Sequence, residues 1–254
     1  MQTNDMIILR GVNKRFGTTV AADNIDLNVR RGEIFGFLGP NGAGKTTTIR
    51  MMTGILTPDS GELLLNGYSI LTDTLQAKNQ FGYVSDDPNL FLRLKGIEYL
   101  TFLANIYNVD PAMREQRINE LATTFELQDA LADKIQSYSH GMRQKLVLIG
   151  ALIHNPPLWI LDEPMTGLDP RSSFHLKNKM REHADSGNTV FFSTHVLDVA
   201  EKVCDRLAII DKGRILFCGT IAEMRSHFAE HQSLEQMFLD MIDADQARAL
   251  DGVI

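Results

Sequence analysis

Short apolar or alternating runs recur along the chain and predict β-strands. They lie at residues 6–9, 25–29, 34–38, 61–65, 81–84, 158–161, 189–193 and 207–210. Helical periodicity separates several of these runs, over residues 45–56 and again between 161 and 189. Strands that alternate with helices are typical of a parallel α/β sheet. The pattern therefore predicts a parallel α/β core, with a hairpin turn at Asn66-Gly67.

The middle of the chain has a different pattern. From about residue 90 to 153 the periodicity is helical, and segments 98–109 and 114–125 are amphipathic. From about residue 221 the chain is again polar and helical, with an amphipathic stretch at 233–242. We therefore expect an all-helical insertion into the sheet, followed at the end by a helical tail.

Composition narrows the class of partner. Of the 254 residues 44% are hydrophobic, and the formal net charge is −7. This acidic balance argues against nucleic acid as a partner, because nucleic-acid binders carry a basic face. Cys204 and Cys218 lie in separate segments without metal-ligand spacing, so we expect plain thiols. No secretory signal is visible and no apolar run reaches the ~18–20 residues that span a bilayer. We expect a soluble, cytoplasmic chain, with any membrane part supplied by another protein.

Residues 39–46, Gly-Pro-Asn-Gly-Ala-Gly-Lys-Thr, fit the phosphate-binding pattern GxxxxGK[ST] in full. The run follows a predicted strand and opens a predicted helix, so backbone N–H groups and the positive end of the helix dipole would face a phosphate. Lys45 is expected to reach the β- and γ-phosphates, and the Thr46 hydroxyl to bind Mg²⁺. No Asn-Lys-x-Asp run follows to read guanine, which favours ATP. The nucleotide-binding residues predicted in this segment are Asn41, Gly42, Ala43, Gly44, Lys45, Thr46 and Thr47.

Two carboxylates end the apolar strand at residues 158–161. Paired acids at the end of a buried strand indicate a charged group opposite them. Asp162 is predicted to be a Mg²⁺ ligand, and Glu163 to polarise the water that attacks the γ-phosphate. His195 follows the strand at 189–193, and ligands bind at the carboxyl ends of parallel strands. We therefore predict that His195 orients the attacking water, and we assign catalytic roles to Lys45, Glu163 and His195.

Further motifs make the chain similar to the ABC ATPase family over roughly residues 6 to 220. Residues 138–144, Tyr-Ser-His-Gly-Met-Arg-Gln, lie where that family carries its LSGGQ signature, and residues 165–170 resemble its D-loop. Residues 193–195, Ser-Thr-His, resemble its switch-histidine motif, and Phe16 lies where the family places an aromatic that stacks on adenine. Ser139 is also a good N-cap for the helix expected to run through Leu152.

The resemblance implies a P-loop NTPase fold of the RecA-like type. It implies a parallel-sheet core, an N-terminal antiparallel β subdomain and an inserted α-helical subdomain at about residues 87–155. These parts would form an ABC ATPase domain over residues 1–220, followed by a C-terminal helical tail over 221–254. The cofactors implied are ATP and Mg²⁺.

The resemblance also implies partners. The signature helix end, through Ser139 and Gly141, would bind the γ-phosphate held by a second cassette, with Asp169 of the D-loop at the same interface. Two chains are required, because this chain carries one set of motifs. A homodimer is the favoured arrangement, with a heterodimer as the alternative. Its partner would be a membrane-spanning permease, which places the dimer on the cytoplasmic face of the cell membrane. Apolar residues of the insertion, Phe91, Leu92, Tyr99 and Phe102, would line a groove for the permease or form ordinary helix core.

Two positions depart from the family pattern. His140 and Met142 replace a glycine and the glutamine of the signature, and His140 adds bulk where backbone would approach phosphate. Asp86 follows the strand at 81–84, where the family's Q-loop glutamine would contact Mg²⁺ and water. An ionised aspartate is shorter and donates no hydrogen bond, so coupling through this loop is expected to differ. We still assign Asp86 to nucleotide and metal binding.

The sequence leaves three functions to compare. The first is the ATP-hydrolysing subunit of a membrane transporter, with export favoured by the signature and the tail. The second is a soluble ABC ATPase of DNA repair or translation, which usually carries two cassettes, a coiled-coil insertion or zinc cysteines. The third is a regulatory cassette that binds ATP without hydrolysing it. The presence of Lys45, Asp162, Glu163 and His195 argues against the third.

Glu163→Gln removes the proposed proton acceptor and keeps the shape of the side chain. We expect nucleotide binding to persist and ATP turnover to fall by about 10²–10⁴-fold, the range typical of a positioned general base. A phosphate-release assay beside an ATP-binding titration measures both. Turnover within a few-fold of the unaltered chain would remove Glu163 from the catalytic role.

Overall fold

The structure is a computed structural model that describes residues 4–87, 91–226 and 234–251. The strands are β1 (Asp5–Phe16), β2 (Thr19–Arg30), β3 (Ile34–Leu38), β4 (Ser60–Leu65), β5 (Tyr68–Ser69), β6 (Phe81–Val84), β7 (Leu158–Leu161), β8 (Thr189–Thr194), β9 (Arg206–Asp211) and β10 (Arg214–Gly219). The α-helices are α1 (Lys45–Met52), α2 (Thr74–Lys78), α3 (Gly96–Ile106), α4 (Pro111–Thr124), α5 (His140–Leu152), α6 (Pro170–Asp185), α7 (Leu197–Val203), α8 (Ile221–Ser226) and α9 (Leu234–Asp251). Of the predicted tail, residues 227–233 and 252–254 lie outside the described residues, as do 88–90 of the predicted insertion.

The strands form two sheets. The first is antiparallel with the order β2-β1-β4-β5, and the second has the order β10-β9-β3-β8-β7-β6. Within the second sheet the neighbours from β9 to β6 are parallel, and only β10 pairs antiparallel, with β9. The predicted parallel α/β core is confirmed, together with an antiparallel sheet formed by N-terminal strands.

The second sheet has an apolar layer on each face. One layer lies between the two sheets and includes Phe35, Phe37 and Phe191. The other packs the opposite face against helices, and includes Trp159 and Phe192. Adjacent residues of a strand point to opposite faces, so Phe191 and Phe192 of β8 serve different layers. The central strands are therefore buried on both sides, as their continuous apolar runs predicted.

The middle of the chain is helical, as predicted. α3, α4 and α5 pack on one another and on the sheet through a shared apolar cluster. Residues 146–152 of α5 are buried, which agrees with the apolar run there. α5 begins where the sequence placed its cap, because the Met142 N–H donates to Ser139 Oγ at 3.2 Å. No helix within the described residues is both long enough and apolar enough to cross a membrane.

Hydrophobic patterning missed the length of the first hairpin. β1 and β2 each have 12 residues, whereas the apolar runs marked only 6–9 and 25–29. Backbone pairing extends β1 on both sides, with β2 and with β4, through polar positions that carry no periodic signal. Patterning also missed β10, which follows a turn with positive φ at Lys212 and Gly213. The Asn66-Gly67 turn is confirmed, since β4 pairs with β5 across it.

Phe191→Ala tests the layer between the sheets. Phe191 is fully buried and its ring lies 5.9 Å from Phe35 and 5.5 Å from Phe37, centre to centre. Removing it should lower the free energy of unfolding by about 3–5 kcal/mol, because a cavity replaces the ring. Phe174→Ala is the control: this ring is 58% exposed, so its loss should cost about 0.5 kcal/mol or less. Urea denaturation of both variants measures the difference, and equal losses would contradict this account of the core.

Candidate functional site

Four neighbouring strands of the second sheet end at one edge, and each is followed by a predicted site residue. β3 leads into the loop before Lys45, and β7 leads into Asp162 and Glu163. β8 leads into His195, and β6 leads toward Asp86. Because these strands are parallel and adjacent, their carboxyl ends meet at the same edge. The sheet topology thus brings together residues that lie far apart in the sequence.

The loop between β3 and α1 is shaped by its glycines and curls around its own lysine. Gly42 and Gly44 have φ of 82° and 109°, which side chains other than glycine rarely adopt. A β-carbon at Gly44 would also overlap the Ala21 carbonyl oxygen. Lys45 Nζ donates to the Gly39 and Pro40 carbonyls at 2.7 and 3.2 Å, and the side chain is 6% exposed. The ammonium group is therefore held by backbone carbonyls of the same loop.

A cleft of about 250 Å³ opens over this loop. It is lined by Thr19, Val20, Ala21, Pro40, Asn41, Gly42, Gly44, Lys45, Thr46, Thr47, Asp86 and Glu163. Most of the predicted loop residues are thus in the cleft wall, with Ala43 buried just behind it. The three residues from β2, Thr19, Val20 and Ala21, were not predicted from the sequence. No motif marks them, and only their place after the Phe16 turn puts them beside the loop.

Asp162 is fully buried beneath the cleft. Its Oδ1 accepts a hydrogen bond from Ser193 Oγ at 2.6 Å, whereas its Oδ2 is buried without a hydrogen-bond partner. Burial raises the pKa of Asp162, while the Ser193 and Thr46 hydroxyls lower it. The charges of Asp86 and Glu163 raise it further. A buried carboxylate oxygen beside other acids is a suitable ligand for a cation.

Glu163 has contacts with Lys45 and His195. Its Oε1 lies 3.3 Å from Lys45 Nζ, and its Oε2 lies 3.0 Å from His195 Nδ1. Its backbone has a φ of 48°, an unfavourable conformation for a residue with a side chain. Such strain costs on the order of 1–3 kcal/mol and clusters at functional sites. The predicted catalytic residues Lys45, Glu163 and His195 are thus one connected group.

Ser193 is a site residue to which the sequence analysis gave no role of its own. Its Oγ donates to Asp162 and accepts the Glu163 N–H at 2.9 Å. Leu161 of β7 pairs with Phe192 of β8, so the next residues of the two strands lie side by side. The Ser-Thr-His run was visible in the sequence, but the bridging role of its serine depends on this strand register.

Seven predicted site residues are not among those that line the cleft. Ala43 and Asp162 are buried beside it, and His195 contacts Glu163 in its wall. The other four are Phe16, Ser139, Gly141 and Asp169. Phe16 is 50% exposed at the end of β1, with Lys14 Nζ 5.7 Å from the centre of its ring. Asp169 caps α6 by accepting from Ser172 N and Oγ, and these bonds lower the pKa of Asp169 to about 2. These last four residues therefore lie on surfaces outside the cleft of their own chain.

A glycine loop at a helix N-terminus, a central lysine and a strand-end acid pair define a nucleoside triphosphate hydrolase of the P-loop class. The ABC transporter family profile matches residues 22–166 of this chain. The chain is 34% identical to a linearmycin resistance ATP-binding protein of Bacillus subtilis, over 87% of this chain and 71% of that protein. It is 38% identical to a Nod factor export ATP-binding protein of Cupriavidus metallidurans, over 86% and 71%.

A third relative is a daunorubicin resistance ATP-binding protein of Streptomyces coeruleorubidus, 34% identical over 87% of this chain and 70% of that protein. Among solved structures, one described as the ATP-binding subunit of an ABC transporter superimposes with a TM-score of 0.89 at 31% identity. It covers 93% of this chain, and 99% of its own chain is matched. The chain therefore belongs to the ABC transporter family, as an ATP-binding and ATP-hydrolysing cassette.

Ser193→Ala tests the bridge between the two strand ends. The variant leaves the buried Asp162 carboxylate and the Glu163 N–H without their shared partner, and each such loss costs about 1–3 kcal/mol. We expect turnover to fall by about tenfold or more, because Glu163 loses its fixed position. Ser186→Ala, which removes a serine hydrogen bond to the His183 carbonyl outside the cleft, is the control. Steady-state ATPase assays compare them, and equal activity in the two variants would rule out the bridging role.

Proposed function

We propose that this chain is the motor subunit of an ABC exporter, binding ATP with Mg²⁺ between two copies and driving a separate permease. The observation that carries the proposal is the connected group of Lys45, Glu163 and His195 at a cleft with a P-loop wall. This group supplies the charge, the proton acceptor and the orienting side chain that hydrolysis of a γ-phosphate requires.

The roles follow from the contacts. Lys45 and the backbone N–H groups of residues 41–47 would bind the β- and γ-phosphates. Glu163 Oε2 would accept a proton from the attacking water, the new bond forming at the γ-phosphorus as its bond to the β-γ bridging oxygen breaks. His195, now 3.0 Å from that carboxylate, would hold the water and the γ-phosphate in line. ADP and inorganic phosphate would leave.

The residues present suit Mg²⁺. Asp162 Oδ2 is buried and has no hydrogen-bond partner, and the Thr46 hydroxyl is close enough to lower the pKa of Asp162. Within the described ranges, no group of three His, Cys, Asp or Glu side chains could hold a metal alone. This suits Mg²⁺, which binds one or two carboxylates together with substrate phosphates. We propose Thr46, Asp162 and Asp86 as its protein contacts, and the ion would neutralise phosphate charge.

We propose a homodimer closed by ATP. Ser139, Gly141 and Asp169 lie outside the cleft of their own chain, and Ser139 caps the N-terminus of an exposed helix end. Helix N-termini attract anions, so this end would bind the γ-phosphate held by a second copy. Phe16 is half exposed and would stack on the adenine.

We propose a permease as the second partner, with the dimer on the cytoplasmic face of the cell membrane. Export is supported by relatives named for linearmycin resistance, daunorubicin resistance and Nod factor export. Within the proposed helical subdomain, residues 87–155, Tyr99 is buried core. Phe91 and Phe102 are exposed and in edge-to-face contact, which suits the docking of a permease helix. We propose a domain over residues 1–220 followed by a C-terminal tail, whose described helices α8 and α9 pack on the domain through Met224 and Met237.

The alternative functions are less well supported. A soluble ABC ATPase without a transport role is not favoured, because the relatives carry names of resistance and export proteins. A regulatory cassette that does not hydrolyse ATP is not favoured either. Such a cassette would not need the connected group of Lys45, Glu163 and His195.

The test is the mass of Glu163→Gln in solution with and without Mg²⁺-ATP, by size exclusion with light scattering. We expect a shift from monomer to dimer on adding Mg²⁺-ATP, since the variant holds ATP without consuming it. The matched control is the same protein with Lys45→Ala added, which should stay monomeric because phosphate binding is lost. Glu163→Gln remaining a monomer under both conditions would contradict the homodimer.

A further inference from the structure

Residues 164–169 connect the catalytic Glu163 to the start of α6, and they lie against the first turns of α5. Gln144 Nε2 donates to the Pro164 carbonyl at 3.4 Å, at one end of this segment. Lys145 Nζ lies 3.9 Å from Asp169 Oδ2, at the other end. The segment that leads to α6 therefore contacts the signature helix of the same chain at both of its ends.

A third contact lies in the middle of the segment, between His140 and Gly167. A β-carbon at position 167 would lie 2.6 Å from His140 Nε2 and nearer still to its Cδ2. A β-carbon at Gly141 would lie 3.0 Å from the Gly167 carbonyl oxygen. Because atoms do not approach to such distances, the ring of the exposed His140 lies in the space that a side chain at position 167 would need, and it would have to turn away for that side chain to fit. The bulk of His140 is thus directed at the D-loop.

The segment is short and fixed at both ends. The Thr166 N–H donates to the Glu163 carbonyl at 3.1 Å, and the Leu168 N–H to the Met165 carbonyl at 3.2 Å. Asp169 is held by its capping bond to Ser172 N at 2.9 Å. A displacement at Gly167 would therefore be passed to Glu163 on one side and to Asp169 on the other.

We propose that His140 is a positioning residue for ATP hydrolysis, whose ring packs into the space left by Gly167 and sets the D-loop against the signature helix. Ser139 caps that helix, and Glu163 immediately precedes the segment. With the contact in place, the two residues then move as one unit. This coupling rests on the homodimer proposed above. In that dimer, the helix end at Ser139, which would bind the nucleotide of the second copy, would be linked rigidly to Glu163, which acts on the nucleotide of its own chain.

If the His140 ring fills this space, position 167 tolerates a side chain only when the residue at position 140 is small. Gly167 has a φ of +78°, so any side chain there carries some backbone strain in addition to the overlap. Gly32 separates the two effects. It has the same φ of +78°, and a β-carbon there would meet nothing within 4 Å. Gly32→Ala therefore reports strain alone, in a turn that does not line the cleft.

The experiment is a double-mutant cycle of Gly167→Ala and His140→Gly, with Gly32→Ala as the control. Gly167→Ala should lower kcat by about tenfold or more, with KM for ATP within about twofold, because the cleft is untouched. Gly32→Ala should keep kcat within about twofold of the unaltered chain. His140→Gly, which opens the space, should restore kcat of Gly167→Ala to within about threefold of His140→Gly alone.

Thermal unfolding without nucleotide gives a second cycle on the same variants. We expect Gly167→Ala to lower Tm more than Gly32→Ala does, and His140→Gly to remove the difference. If positions 140 and 167 are coupled in Tm but not in kcat, the contact contributes only to stability, and the positioning role is overturned. A normal kcat for Gly167→Ala would overturn it too. So would a double variant whose kcat falls as far below that of His140→Gly as Gly167→Ala falls below the unaltered chain. Failure of the dimer would appear instead in the Glu163→Gln light-scattering test, which the thermal cycle does not involve.

Discussion

Ser193 Oγ donates a 2.6 Å hydrogen bond to the buried carboxylate of Asp162 and accepts the backbone N–H of Glu163. This one hydroxyl group joins the ends of two parallel strands and holds both acids. The bond is strong because its acceptor is a carboxylate in a low-dielectric interior. Without this hydroxyl, the buried Asp162 carboxylate would lose a hydrogen-bond donor. The backbone N–H of Glu163, a residue with a strained φ, would lose its acceptor. The geometry of the cleft depends on this bridge, and the bridge depends on the register of β7 against β8.

The electrostatics of the cleft follow from that arrangement. Three acids, Asp86, Asp162 and Glu163, lie close enough that the first and last raise the pKa of the second. Lys45 offsets part of this charge, with its Nζ 3.3 Å from Glu163, but it is also held by two backbone carbonyls. Burial, Asp162 and Asp86 together raise the pKa of Tyr83. The site therefore places three acids beside one lysine, and the burial and neighbouring acids that raise the pKa of Asp162 are what a nucleotide bound with Mg²⁺ would offset.

The two departures from the family pattern have different structural consequences. Asp86 lies in the cleft wall, beside the loop that carries Lys45 and Thr46. His140 leaves the helix cap intact, since Ser139 still accepts the Met142 N–H, and its ring packs over Gly167. The bulk that the sequence placed near phosphate is therefore taken up by the neighbouring loop. The His140 ring and Gly167 therefore bring the signature helix and the D-loop into contact within one chain.

Sequence alone determined the sheet core, its helices and the chemistry at its edge. Apolar runs predicted the buried parallel strands because those strands are covered on both faces. The phosphate-binding loop was recognisable because its glycines and lysine are contiguous in the sequence. Only the tertiary structure decided that Ser193 bridges two acids, that residues 19–21 line the cleft, and that His140 meets Gly167. These contacts join residues distant in sequence, and they depend on strand register and on the packing of α5 against the D-loop. Local patterning carries no information about either, because both are set by which strands and helices pair in the folded chain.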